Sequence, residues 1–275
     1  MEHRTSHRVC AGLTRAFAPM LIVLLVGGCG GAGAARLSPG DAAALTRAVR
    51  QAQVLHAAID PASSSDPELS AYVQEVGNRL VEAARKTEQQ RPALEAMRVE
   101  FHLVNNPVVN AVSTGGAHVY VYSGLFVRCG SEEELAAAMA HALAHTSLRH
   151  LAGRNIEDPA DRERAAIVLA NQVVQSRYTP GEESEADGAG FQAYARGGWD
   201  PSRFGDLFQR VGGKDYNLRA QDPRRWAQQL SGAAQAWRRS PVADERTFVQ
   251  LQQRAKAMPA LPRGDKAETA AIILS

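Results

Sequence analysis

Two histidines and two carboxylates are spaced so that they could surround one metal ion. His141 and His145 are four residues apart, which places both imidazoles on one face of a helix, one turn apart. A zinc ion needs a third protein ligand, and Glu183 could supply it while Asp187 orients one of the histidines. Residues 182–187 are also typical of a solvated acidic start of a helix, which the helix dipole favours. Spacing alone therefore leaves a metal site and a surface helix both open.

Three ordered blocks of the sequence resemble zinc metallopeptidase family 48, which includes HtpX, the CAAX prenyl endopeptidase and periplasmic peptidases of the BepA–LoiP type. Residues 131–150 resemble the zinc-binding helix of that family, and residues 110–125 resemble its glycine turn and edge strand. Residues 183–201 are similar to its third-ligand helix and the turn that follows. The resemblance extends over roughly residues 66–211.

The resemblance implies a ligand set and a substrate-binding strand. By position, His141, His145 and Glu183 match the three zinc ligands, which implies one zinc ion per chain. Asp187 matches the carboxylate that supports a ligand, and His150 matches a family position just past the zinc-binding helix. The strand predicted after Gly116 matches the edge strand that would hold an extended peptide by main-chain pairing. Its residues would be Ala117, His118, Val119 and Tyr120.

One position departs from the family motif. That motif is HExxH, with glutamate after the first histidine, whereas this chain has Ala142 between His141 and Leu143. The glutamate takes a proton from the attacking water and delivers it to the leaving amine, and alanine can do neither. General acid–base catalysis contributes about 10²–10⁴-fold, so we expect hydrolysis to be lost or strongly impaired. Glu134 lies roughly 10 Å away along the predicted helix, too far to replace the missing base.

Periodicity in the sequence predicts the elements that position these residues. Asp66 is expected to cap the second helix, and Ser131 with Glu134 is expected to form a capping box at the start of the metal-binding helix. A mostly helical chain with a small sheet belongs to the α+β class, and the resemblance implies a zincin-like peptidase domain. The predicted helices are 39–59, 67–86, 131–151, 160–177, 181–196, 201–211 and 243–258, and the predicted strands are 99–104 and 117–122.

The N-terminus is typical of a lipoprotein signal peptide. Basic residues precede an apolar run at residues 16–26, which is too short to cross a bilayer because a span needs about 20 residues. Small residues then lead to Cys29, the expected site of lipidation; a plain secretory signal with an incidental cysteine is the alternative. The predicted divisions are a signal peptide (1–28), a tether with one helix (29–65), a metallopeptidase-like domain (66–258) and a loosely ordered tail (259–275).

The charge balance argues against a nucleic-acid-binding protein, and the cysteine content argues against a disulfide-bonded one. After removal of residues 1–28, the chain has 28 basic and 28 acidic residues, so it lacks the electrostatic footprint of a nucleic-acid-binding protein. Cys10 leaves with the signal peptide and Cys29 is expected to be lipidated, which leaves Cys129 alone. No intramolecular disulfide is therefore expected, even in an oxidising compartment.

Several further residues have no functional role assigned from the sequence. His102 and His118 lie on predicted strands and are interpreted as packed or polar-face residues rather than ligands, and no partner is predicted for His56. Family members carry a His-Pro pair before their last helix, and the counterpart here is Ser240-Pro241, so the role of that histidine is in doubt.

Three functions are consistent with these observations. The favoured one is a pseudopeptidase that binds zinc and unfolded or misassembled envelope proteins or peptides without cleaving them. The second is a zinc metalloendopeptidase of periplasmic quality control in a slow or base-deficient form, and the third is a relic that binds no metal. Retention of both histidines with the acidic helix argues against the relic. The expected location is the periplasm, on a lipid anchor, in the outer rather than the inner membrane because Gly30 follows Cys29.

Overall fold

A computed structural model describes residues 36–59, 64, 66–152, 178–211 and 245–258, all of which belong to one compact unit. Most of these residues are helical and a few form one small sheet, which confirms the predicted α+β class. None of the described helices is long and apolar enough to span a membrane. The elements are α1 (Pro39–Ile59), α2 (Pro67–Ala84), α3 (Arg91–Ala96), β1 (Glu100–Val104), β2 (Ala111–Ser113), β3 (His118–Tyr122), α4 (Ser123–Arg128), α5 (Glu132–Ser147), α6 (Pro180–Arg196), a 3₁₀ turn (Pro201–Arg203), α7 (Asp206–Val211) and α8 (Glu245–Ala257).

The three strands form one mixed sheet in the order β1-β3-β2. β1 runs parallel to β3, with Glu100 opposite His118, and β2 runs antiparallel to β3, with Ser113 opposite Val119. All five residues of β3 are buried, as expected for a strand that is covered on both faces.

The strand order corrects the prediction for the substrate-binding strand. The strand expected at an edge is central, because β3 is hydrogen-bonded to β1 on one side and to β2 on the other. A peptide therefore finds no exposed main-chain edge along the predicted residues Ala117, His118, Val119 and Tyr120. Of the described strands, β2 is the edge strand beside α5, and the hydroxyls of Ser113 and Thr146 are hydrogen-bonded across that junction.

Of the two helix caps predicted from the sequence, one is present and one is absent, and a further cap was not predicted. Asp66 Oδ1 accepts hydrogen bonds from the backbone N–H groups of Glu68 and Leu69, at 3.0 and 3.1 Å, which caps α2 as predicted. Thr179 and Glu182 form a capping box at the start of α6. The capping box predicted at Ser131 is absent, because Oε2 of Glu134 accepts from the backbone N–H of Gly130 (2.7 Å) and the Ser131 side chain makes no cap bond.

The helix that carries His141 and His145, α5, lies in the middle of the core. Every residue of α5 is buried, and its main partner is α6. Small residues allow this close approach: a Cβ added at Gly190 would lie 3.0 Å from the backbone oxygen of Ala140 and the backbone nitrogen of His141. The apolar contacts between the two helices are similarly small, with Ala144 packed against Ala186 and Ala189. Close packing of these helices brings the carboxylates of α6 to the histidines of α5.

A buried carboxylate fixes the start of α5. The Tyr72 hydroxyl donates to Oε2 of Glu132 (2.7 Å), and the indole N–H of Trp199 donates to Oε1 (2.8 Å). The Arg79 guanidinium lies 3.5 Å from Oε1 and 4.1 Å above the centre of the Trp199 ring. Because its acceptors are satisfied in this way, Glu132 ties α2 and the turn after α6 to α5.

Three elements were not predicted. α3 and α4 each have six residues and β2 has three, too few for a periodic pattern to be recognised. α5 ends at Ser147, four residues before the predicted end, and Arg149 adopts a left-handed conformation with φ of 63°. The predicted signal peptide, Cys29, the helix at 160–177, Ser240-Pro241 and the tail from 259 lie outside the described residues.

Candidate metal centre

Three predicted ligands converge in the space between α5 and α6. Nε2 of His141 lies 3.1 Å from Nε2 of His145, and Oε2 of Glu183 lies 3.2 Å from the first and 3.6 Å from the second. The side chains are 5%, 4% and 12% exposed, respectively, so the centre is almost closed to solvent. Tetrahedral zinc with ligands at about 2.0–2.1 Å needs donor atoms roughly 3.3 Å apart. The observed separations fit that requirement, so this donor set suits zinc.

Asp187 lies beside the first histidine rather than among the ligands. Its Oδ1 is 2.9 Å from Nδ1 of His141, and Asp187 is 7% exposed. With a metal bound, the Nδ1–H of His141 would donate to this carboxylate and leave the lone pair of Nε2 directed at the centre. Such a carboxylate–histidine contact fixes both the tautomer and the orientation of a metal ligand.

His150 and Glu185 form a chain of contacts behind His145 that was not predicted from the sequence. Nδ1 of His145 lies 2.9 Å from Nδ1 of His150, and Nε2 of His150 lies 3.3 Å from Oε2 of Glu185. When Nε2 of His145 ligates a metal, its Nδ1–H donates to His150, whose Nε2–H donates to Glu185. Tyr178 stacks on the His145 ring with a centroid separation of 3.6 Å. Both histidine ligands are thus held on the side away from the centre.

The ionisable side chains at the centre favour the binding of a cation. Burial alone would lower the pKa of His141, but hydrogen bonds to Asp187 and Glu183 raise it to about 9. Burial lowers the pKa of His145 to about 4. Burial opposes ionisation of Glu183, but the two histidines hold the pKa of its carboxyl well below its ordinary value. In the metal-free protein one positive charge therefore lies between two carboxylates, where a metal ion would replace a proton.

Known proteins match the part of the chain that contains these elements. The profile of Peptidase family M48 matches residues 67–158. The chain is 31% identical over 171 residues to a putative beta-barrel assembly-enhancing protease of Vibrio cholerae, which covers 54% of this chain and 34% of that protein. It is 28% identical over 173 residues to the beta-barrel assembly-enhancing protease of Escherichia coli K12, covering 54% and 33%. Residues 67–158 therefore match a peptidase domain of family M48, and we call the part of the chain that the structure describes the M48 domain.

Similarity extends to a eukaryotic member of the same group. The chain is 26% identical over 153 residues to the mitochondrial metalloendopeptidase OMA1 of Schizosaccharomyces pombe, which covers 51% of this chain and 43% of that protein. The chain spans about a third of the length of the bacterial relatives. The match to the family profile includes His141 and His145 but ends before Glu183, so Glu183 is a candidate third ligand because of its distance to the two histidines.

Ala142 follows His141 directly, at the position where the resemblance to the family implies a glutamate. Ala142 is 2% exposed and packs in the main hydrophobic core. The nearby acidic side chains in the described part of α5 and α6 have other partners. Glu134 accepts from Gly130, Glu185 contacts His150, and Asp187 contacts the Nδ1 side of His141, away from the centre.

Proposed function

We propose that this chain is an exported lipoprotein whose M48 domain binds zinc and an extended peptide segment without hydrolysing it. One observation carries the proposal: a three-ligand site with zinc-compatible spacing adjoins Ala142 in place of the general base. The domain has the groups that hold a metal and lacks the group that moves the proton.

The residues of the centre divide into those that hold the metal and those that hold its ligands in place. His141, His145 and Glu183 would bind zinc, which supplies Lewis acidity toward a carbonyl oxygen. Asp187 and His150 keep the Nδ1 protons on the outer side of the two rings. Peptide hydrolysis also requires a group that accepts a proton from water and returns it to the amine. No other acidic residue of the described α5 and α6 is placed to do so. Glu133 is paired with Arg203 (3.3 Å), and each of the others has one of the contacts given above.

The strand that would hold a peptide is β2 rather than β3. β2 is bonded to β3 on one side, and it packs against α5 through Ser113 and Thr146. Ala111 and Val112 are partly exposed, so an added strand could pair with their main chain by β-augmentation. Main-chain pairing is independent of sequence, which suits unfolded or misassembled envelope proteins as clients. The names of the bacterial relatives, which refer to beta-barrel assembly, support clients of that class.

The location in the cell is inferred from the N-terminal sequence. A basic segment, a short apolar run and small residues before Cys29 favour export and lipidation at that cysteine. We propose a periplasmic domain anchored by lipid, in the outer membrane, with no nucleic-acid partner.

Zinc analysis combined with a proteolysis assay tests this function. His145→Ala should lower the zinc content by about one ion per chain relative to the unaltered protein, because a three-ligand site loses one ligand. Glu95→Gln, at an exposed position in α3, serves as the matched control and should not change the zinc content. The unaltered protein should bind unfolded casein but leave it intact. Casein cleavage at ordinary protease rates that stops on addition of a chelator would instead establish an active metalloendopeptidase. An unchanged zinc content in the His145 variant would show that the site is wrongly assigned.

A further inference from the structure

Three histidines that the sequence left without chemistry lie together beside the sheet. They come from three elements: His56 from α1, His102 from β1 and His118 from β3. One ring nitrogen of each lies within 4.8 Å of the others. Nε2 of His102 is 2.9 Å from Nδ1 of His118, and the centres of the His56 and His118 rings are 4.2 Å apart.

The register of the sheet explains the cluster. In the parallel pairing, His102 is opposite Tyr120 and Glu100 is opposite His118, so His102 and His118 are diagonal neighbours on one face. α1 packs against that face, and the Tyr120 hydroxyl lies 3.0 Å from Nδ1 of His56. Gly116 permits the approach, because a Cβ there would come within 2.8 Å of the backbone oxygen of Ala48 in α1.

The environment of His118 favours its neutral form. Burial, and then the proximity of His56 and His102, lowers the pKa of His118 to about 3. Three imidazolium rings at these separations would repel one another strongly. Neutral imidazole is the form that binds a transition metal.

We infer that His56, His102 and His118 form a second metal site, which binds Zn²⁺ or Cu²⁺. A set of three imidazoles suits these ions, whereas Mg²⁺ and Ca²⁺ require oxygen ligands. The ligating atoms are Nε2 of His102 and Nδ1 of His118, which already approach each other. Because Tyr120 contacts Nδ1 of His56, the ligating atom of His56 is Nε2, and this half-buried ring turns out of its stack on His118 to bind.

The site would have a structural role that is separate from the M48 centre. Its ligands join α1 to two strands of the sheet, so a bound ion would clamp the N-terminal helix onto the domain. Oε2 of Glu100 is 4.0 Å from Nδ1 of His118 and belongs to a residue whose side chain is 42% exposed. The M48 centre draws its ligands from α5 and α6 instead, and neither site shares a residue with the other.

Metal binding by a protein that lacks the first centre tests this inference. In the full-length chain, His145→Ala with Glu183→Gln removes two ligands of the M48 centre. After equilibration with Zn²⁺ or Cu²⁺ and dialysis, elemental analysis should find about one ion of either metal per chain. The Cu²⁺ form should show hyperfine splitting from imidazole nitrogens in electron paramagnetic resonance.

Variants of the proposed histidine ligands, made in the same doubly substituted protein, distinguish a preformed metal site from nonspecific binding of metal at the surface. His56→Gln and His102→Gln change half-buried positions, so the protein should keep its circular dichroism spectrum, and each should weaken metal binding by at least about tenfold. Glu100→Gln is the control and should retain the ion. The inference is overturned if the background protein is folded and retains neither metal. It is also overturned if a retained metal survives both histidine substitutions with unchanged affinity.

Discussion

Introducing a glutamate at position 142 is the most direct test of the proposal that the M48 domain does not hydrolyse peptides. Ala142→Glu would complete the HExxH sequence between His141 and His145. On a helix, residue 142 lies beside the face that carries the two histidines, so a glutamate there borders the metal centre. If the metal site and an edge strand are both retained, the proton carrier is the only missing component.

The expected gain in the rate of hydrolysis follows from the role of a glutamate at position 142 in proton transfer. General acid–base catalysis contributes about 10²–10⁴-fold, which corresponds to roughly 3–5 kcal/mol of the activation barrier. The substitution also inserts four atoms at a position that is 2% exposed and lies in the main core. Overpacking of this kind destabilises a protein by about 1–3 kcal/mol, less than the stability of a typical domain. The variant should therefore fold at 25 °C with a lowered melting temperature.

The assay compares Ala142→Glu with Ala142→Gln on casein. Glutamine has the same size and imposes the same packing strain, but it cannot carry a proton. Metal-dependent cleavage should appear in the glutamate variant alone and should disappear with a chelator or with His145→Ala. Equal activity in the two variants would refute the proposed role of residue 142. A folded, zinc-loaded glutamate variant that stays inert would show that the substrate groove, or the function of the region around Ser240, has been lost as well.

Three further substitutions test the roles of individual residues. Asp187→Asn should lower zinc affinity by about 10–100-fold, measured by competition with a chelator, because the amide no longer fixes the tautomer of the ligand; unchanged affinity would show that the carboxylate has no orienting role. Glu132→Gln should lower the free energy of unfolding by roughly 1–3 kcal/mol in urea, because the amide can accept only one of the bonds from Tyr72 and Trp199. Cys29→Ser should abolish lipidation and membrane fractionation, and labelling with a radioactive fatty acid in the variant would contradict the predicted anchor.

Local sequence patterns predicted several of the long helices and the proximity of His141 to His145. The helix at Pro67–Ala84 begins after Asp66 as predicted, because an N-cap and a 3- or 4-residue apolar spacing are properties of contiguous sequence. His141 and His145 are placed by one helix, so their proximity also follows from local spacing. The approach of Glu183 depends on how α6 packs on α5, and in the sequence only the resemblance to a family indicated it.

Local sequence patterns could not predict the strand order or the contacts between residues that are distant in the sequence. The strand at His118–Tyr122 was recognised, but its central position depends on β2, a strand of three residues with no periodic pattern of its own. The cluster of His56, His102 and His118 depends on the register of a parallel pair and on the packing of α1. Each of these histidines looks ordinary in its own segment, so only the three-dimensional structure relates them.

The energetics of the M48 centre explain how its chemistry could be lost while its architecture is kept. Replacement of His141 or Glu183 would leave the remaining charges of a buried, hydrogen-bonded group unpaired, a change that destabilises proteins by about 3–5 kcal/mol. Ala142 is different, because its methyl group packs in an apolar core and alanine has the highest helix propensity. Of the positions in this motif, residue 142 is therefore the one at which catalysis can be removed without a loss of stability. Under the proposed function, a domain altered in this way would still bind metal and peptide.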